Sequence, residues 1–313
     1  MPLKYRKKVL LAKIEAVAGT AEALAAADAV LASNIEITPL AGDTVNRELE
    51  RPYYGRNADI PVNVHATLAF RVELAGSGDA DTAPAWGRLL RACGFAEVVT
   101  ANTRVDYTPV SAAESTITLG LNIDGQLFTL HGARGTFSLE AGANQIPYLN
   151  FTFTGRYNAP GSVAQVANPD YTPYKLPLVG SSANTPTFEL FGNRDLALSA
   201  YSYEHANEVT HRELIGADSE VIITNRAPSF SVTIDAPTFA TLNLVEKAKN
   251  ADTGALKIVH GAAAGKIIEI TAPKVQAAGP SVSEADGAMQ MQVTLAALPN
   301  AAAGNDEIKI TTK

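Results

Sequence analysis

Asp252-Thr253-Gly254 is a triplet whose residue types could do chemistry, because such a turn presents a carboxylate in two-lobed acid proteases. That chemistry needs a second carboxylate to share the proton. The matching place in the other half of the chain, Ala101-Asn102-Thr103, has no Asp. The apolar residues expected before the triplet are also missing, since Asn250-Ala251 stand there. The triplet reads as a turn after a helix. His65, His131, His205, His211 and His260 show no metal-ligand spacing and read as packing or surface residues. Gly76-Ser77-Gly78 lacks the five-residue frame of a nucleophile elbow. Asp79 and Asp81 are too few for a calcium loop. Asn150-Phe151-Thr152 matches a glycosylation sequon but falls inside a strand pattern. No glycine loop with a Lys is present to cradle a phosphate. The reading is a chain with no catalytic, cofactor-binding or metal-binding set, and not an enzyme.

The pattern that organises the chain is structural. Val45-Asn46-Arg47-Glu48-Leu49 is echoed by Val209-Thr210-His211-Arg212-Glu213-Leu214. Each copy follows a stretch of alternating apolar and polar residues and precedes another, at 67–74 and 229–235. Alternation with a period of two marks a half-buried strand. A proline-led helix follows in each half. In the first, Pro84 precedes Trp86, Leu89, Leu90 and Cys93 at helical spacing, with Gly94 as C-cap. In the second, the run 237–248 takes the same slot. Asp124-Gly125 is a two-residue hairpin signal. The strands at 256–259, 265–270 and 287–295 are matched to those near Val105, Leu127 and 148–154, leaving 115–123 as an extra strand of the first copy. This order of elements predicts a tandem duplication.

The expected organisation is an N-terminal arm over 1–30, a first β-domain over 31–157, a proline-rich linker over 158–186, and a divergent second β-domain over 187–313. The Ala-rich run 21–27 favours helix, and the arm is expected to order against a neighbour. The fold class is mainly β: two tandem sandwich or barrel domains, each with a flanking α-helix.

Bulk properties narrow the function. The 313 residues suffice for roughly two domains. Net charge is −7, charged residues are 18%, and no basic stripe stands out, which argues against tight nucleic-acid binding. The single Cys93 excludes an internal disulfide framework, and it sits in the apolar pattern of a helix. No apolar run of ~18 residues is present, so no membrane span is expected.

The stretches 11–20, 26–31, 42–49, 84–95 and 132–139 together resemble the major tail tube protein of phages with long, non-contractile tails. The resemblance covers residues 9–157, and the second half is recognised as a divergent copy. It implies a sandwich or barrel with a flanking helix, similar to the type VI secretion tube protein. Six such domains form a ring, and rings stack into a hollow tube. A chain with two copies then makes trimeric, pseudo-hexameric rings; the alternative readings are another tail component such as a terminator, or a two-domain β-sandwich binding module. The implied partners are further copies of the chain, the tape-measure protein, a tail terminator and distal tail or baseplate proteins. Double-stranded DNA passes through the lumen without tight binding, no cofactor is needed, and the chain works in the virion tail after synthesis in the host cytoplasm. The loops at 43–64 and 207–220, with the arm, are the candidate contacts between rings. Their candidate assembly residues are Val45, Arg47, Glu48, Leu49, Arg51, Tyr53, Tyr54, Arg56, Arg212, Glu213 and Leu214.

Overall fold

Residues 2–313 are described by a computed structural model, and alternation makes them mainly β. The first half contains β1 (Lys8–Ile14), β2 (Ala29–Val30), β3 (Ser33–Asn46), β4 (Asp59–Glu73), α1 (Gly87–Arg91), β5 (Phe95–Thr100), β6 (Arg104–Pro109), β7 (Ile117–Ile123), β8 (Gln126–Gly142), β9 (Tyr148–Arg156) and β10 (Gly161–Ser162). The second contains β11 (Thr187–Leu190), β12 (Leu198–Glu204), β13 (Asn207–Arg212), β14 (Glu220–Arg226), β15 (Ser229–Asp235), α2 (Leu244–Lys249), β16 (Thr253–His260), β17 (Ile268–Ala285), β18 (Ala288–Ala297) and β19 (Lys309–Thr312).

One antiparallel sheet runs through both halves in the order β3-β4-β9-β8-β12-β15-β18-β17. Its strands bury every second residue: Leu68, Phe70 and Val72 on β4, Phe151 and Phe153 on β9, Val232 and Ile234 on β15, Val293 and Leu295 on β18. Strands β8 and β17 are long enough to leave this sheet and enter a second layer. There β8 pairs with β7, and β7 with β1. In the other half β17 pairs with β16, and β16 with β11. The bend in β8 coincides with a register shift between His131 and Arg134, where Gly132 has φ 57°. Two-residue turns close two hairpins, at Asp124-Gly125 and Asp286-Gly287, and all four residues have positive φ.

The core is shared rather than split. A single buried cluster includes Leu10, Phe151, Tyr203, Val232 and Ile310, so it spans both halves. Strand β12 lies between β8 and β15, and β19 pairs with both β17 and β6.

Several expectations change. Residues 8–14, expected in an arm, form β1 and pair along their whole length with β7. Val9, Leu10, Leu11 and Ala12 are all buried, so both faces of this strand are covered and it reads as a continuous apolar run. Glu15 fixes the following turn: its buried carboxylate accepts hydrogen bonds from Thr116, Thr118, Gly132 N and Gly19 N at 2.6–2.8 Å. The Ala-rich run makes only a 3₁₀ turn, Ala26–Asp28, because a short helix without a wide apolar face has little tertiary support. The segment expected as a linker is packed. Ser162 pairs with Gln126, Val166 and Tyr171 cover β1, and the Leu178 carbonyl lies 3.0 Å from His260 Nε2. Helix α2 begins only at Leu244, where Asn243 caps it by accepting from Glu246 N at 3.1 Å. Strand β16 pairs with β17 and β11, as β7 pairs with β8 and β1, and β5 and β6 form a hairpin of their own.

Candidate assembly surfaces

The shared sheet ends in two edges. Among the described residues β3 pairs with β4 alone. The far half of β17, residues 277–285, pairs with β18 alone. Unpaired N–H and C=O groups on an edge are a template for another strand. Both edges carry an interruption. On β3 it is Pro39, and on β17 a register shift between Ala278 and Ser281 that encloses Gly279-Pro280. Val282 is 61% exposed in the middle of the β17 edge.

A junction of the same kind is already covered inside the chain. Strand β12 is the first sheet strand of the second half, and it pairs with β8 of the first: Glu204 opposes Ser138, Tyr203 opposes Leu139 and Ser202 opposes Glu140. Tyr203 and Leu139 are each 1% exposed. The Tyr203 hydroxyl is 2.7 Å from His205 Nδ1. The His205 ring packs against Phe95 and Phe137, and burial pushes its pKa down to about 3.

Beyond this junction β13 and β14 form a separate two-stranded hairpin. It lies against β8 and β9 and reaches the start of β4. His211 Nδ1 is 2.6 Å from Asn63 Oδ1, and the His211 ring stacks on His65 at 5.1 Å. Burial, His65 and Arg156 hold the His211 pKa below its usual value, against the opposing pull of Glu213.

The expected assembly residues sit at two hairpin tips, and regular pairing extends further than the sequence pattern shows. It reaches Asn46–Asp59 in one hairpin and Arg212–Glu220 in the other. Val45, Leu49, Tyr53 and Tyr54 are exposed, as are Leu214 and its neighbour Ile215. Arg47, Glu48, Arg51 and Arg56 are exposed as well. The first tip is held by local bonds: Asn46 accepts from Glu48 N at 2.8 Å, Asn57 donates to the Leu49 carbonyl at 3.0 Å, and Arg56 donates to Asp59. Arg51 lies over the Tyr53 ring at 5.9 Å. In the second tip Arg212 is 3.4 Å from Glu220. Glu213 and Leu214 line one open groove with Val62 and Asn63, near the base of the first tip. Residues 51–56 stay apart in an exposed loop.

Sequence reasoning missed the two edges and the contact of His211 with Asn63 between the two halves of the chain. The β17 edge had a signal in Gly279-Pro280, which interrupts the strand, and in Asp286-Gly287, which closes its hairpin with β18. In the triplet Asp252-Thr253-Gly254, Asp252 follows the turn after α2 and is bound to Lys247 Nζ at 3.0 Å, and Thr253 and Gly254 begin β16. Ser77 donates to the Asp79 carbonyl at 2.6 Å. Cys93 is buried, and burial pushes its thiol pKa well up.

The face of the sheet opposite the core is polar. It carries Thr67, Asn150, Thr152, Ser138, Ser202, Ser231, Thr233, Gln292 and Thr294, with Glu140, Glu204, Asp235 and Arg71 among them. Hydroxyls, amides and carboxylates outnumber the arginines there, so the face lacks the clustered Lys and Arg of a phosphate-binding surface. Among the described residues no helix is long and apolar enough to cross a membrane.

No curated protein matches this sequence. Residues 6–298 match the sequence profile of a family described as phage tail tube protein, and the chain therefore belongs to that family of structural virion proteins.

Proposed function

We propose that the chain is a major tail tube subunit that arose by tandem duplication and assembles head to tail into three-membered rings. The rings stack into the hollow tail of a long, non-contractile-tailed phage, through which DNA is ejected. The observation that carries this reading is the pair of free edges, β3 and β17, at opposite ends of one antiparallel sheet. A head-to-tail contact closes into a ring when the rotation allows, and stacking then propagates it.

The duplication is supported by pairing order. Strands β4, β9 and β8 pair in the same succession as β15, β18 and β17. The Arg-Glu-Leu echoes agree with it: Asp59 and Val221, the partners of Asn46 and His211, lie the same number of residues before Leu68 and Phe230. Each half thus supplies four sheet strands, and three chains close a sheet of six such units. Strands spaced about 4.8 Å apart then set their backbones on a cylinder roughly 37 Å across, which leaves room for a DNA duplex inside the inward-facing side chains. The polar, partly acidic face lines that bore and repels phosphate. In the virion the tube meets the tape-measure protein, a terminator and distal tail proteins, after synthesis in the host cytoplasm.

Electron microscopy of the purified chain over a concentration series tests this. Hollow tubes or stacked rings with three-fold repeats are expected. Dispersed monomers at every concentration would overturn it, and rings that never stack would point to a terminator-like role.

A further inference from the structure

We infer that the covered junction between the two halves is a residue-by-residue template for the junction between copies. β3 of one copy pairs with β17 of the next, with Thr38 opposite Ser281, Ile37 opposite Val282 and Glu36 opposite Ser283. The inference rests on the ring reading above and adds its register.

The register follows from counterparts fixed in the core. Leu74 N donates to the Pro147 carbonyl, and Ala236 N to that of Met289. This aligns the pair Leu68–Phe153 with Phe230–Leu295. Ile37 opposes Leu68 as Tyr203 opposes Phe230. Ser281 opposes Gln292 as Ser138 opposes Asn150. Carrying the covered pairs Glu204–Ser138, Tyr203–Leu139 and Ser202–Glu140 onto these counterparts gives the three contacts named.

Two independent features fit. The covered Leu139 is buried, while its counterpart Val282 is open and Ile37 is only half-buried, so pairing would cover an apolar contact left waiting. Next, His205 N donates to the Phe137 carbonyl at 3.0 Å in the covered junction. The counterpart of His205 is Pro39, which has no N–H. The place of Phe137 is taken by the two bulged residues Gly279-Pro280. Both edges therefore depart from regular pairing at the same rung. Beyond that rung the β3–β4 hairpin would cross β17 and β18 of the next copy, as β13–β14 crosses β8 and β9. Asn46, the counterpart of His211, would then meet Asn225, the counterpart of Asn63.

Cysteine pairs test the register. His205 N to Phe137 O and Ala143 N to Ser199 O mark the hydrogen-bonded pairs of the covered junction. Glu204–Ser138 is therefore a non-hydrogen-bonded pair, with Cα atoms about 4.5 Å apart and within disulfide reach. Thr38 and Ser281 are both exposed, so replacing them leaves the core untouched. Thr38→Cys/Ser281→Cys, oxidised after assembly, is expected to give a ladder on non-reducing gels that ends at a covalent trimer. The shifted pair Thr38→Cys/Ser283→Cys should give at least tenfold less. Glu36→Cys/Ser283→Cys supplies a second in-register pair. Tubes seen by microscopy with no cross-link at either in-register pair, or a better yield from the shifted pair, would overturn the register and leave the ring reading standing. Wild-type chain that never assembles would overturn both.

Discussion

Strands β12 and β3 begin the sheet in their respective halves, yet they live in different surroundings. β12 has a neighbour on each side and buries Tyr201 and Tyr203. β3 has one neighbour, and its Ile35 and Ile37 stay half-covered. The two strands alternate alike, so the difference does not come from pattern. It comes from whether the chain supplies a partner. In the second half β8 does so covalently, at high effective concentration. In the first half no strand of the same chain is left to do it.

The comparison breaks most sharply if the covered junction is not needed for folding. Tyr203→Ala removes a fully buried ring and its bond to His205. A buried aromatic truncated to Ala costs about 3–5 kcal/mol. The midpoint of chemical denaturation of the unassembled chain should fall accordingly. An unchanged midpoint would mean that the two halves fold without their common strand pairing.

Acid should act on the covered junction next. The His205 pKa is depressed to about 3, so the folded chain keeps this ring neutral while the unfolded chain protonates it near pH 6.5. Its contribution to stability is complete above pH 6.5 and is lost as pH falls toward 3, at up to about 1.4 kcal/mol per pH unit. The Tm of the wild type should therefore drop faster through this window than that of His205→Gln. Parallel curves would remove His205 as the cause. The open edge has Pro39 at the counterpart position and carries no such group.

The open edge should show the reverse balance. Val282→Asp places a charge on an exposed side chain, and the unassembled chain should keep its stability within about 0.5 kcal/mol. Tube formation, followed by light scattering or microscopy, should be lost. Assembly at the wild-type rate would show that β17 is not an interface.

How much of this was legible depends on which interactions are local. Alternation marked β4, β9, β15 and β18, since each has one apolar face. The Asp124-Gly125 turn was legible because its backbone demands positive φ. Strand β1 was not, because both its faces are covered and alternation disappears. The packed course of 158–186 was hidden as well, since its contacts lie on strands far away in sequence. Of the candidate assembly surfaces, the tips with Arg47-Glu48-Leu49 and Arg212-Glu213-Leu214 were visible as an echo. The edges were not, because an edge is defined by which strands pair, a property of the whole topology.

The smallest effect sharpens the comparison at the polar face. Glu204 and Glu140 face the same side of the covered junction, at diagonal positions across the β12–β8 pair. Burial and the Glu140 charge raise the Glu204 pKa. On the open edge the counterparts of these two residues are Thr38 and Ser283, so no carboxylate pair stands there. A raised carboxylate pKa means that the fold favours the protonated form. That contribution is full below the unfolded pKa of about 4.3 and is lost as pH rises through the folded value. At neutral pH the charged Glu204 is thus a slight burden that a neutral amide would not impose. Glu204→Gln should raise the Tm of the unassembled chain by a degree or so at pH 7 (roughly the scale of a surface change), and the advantage should vanish below about pH 4. An advantage that persists into acid would mean that the amide gains a hydrogen bond of its own. A loss at pH 7 would mean that the Glu204 carboxylate is held by a favourable contact which Glu140 does not outweigh.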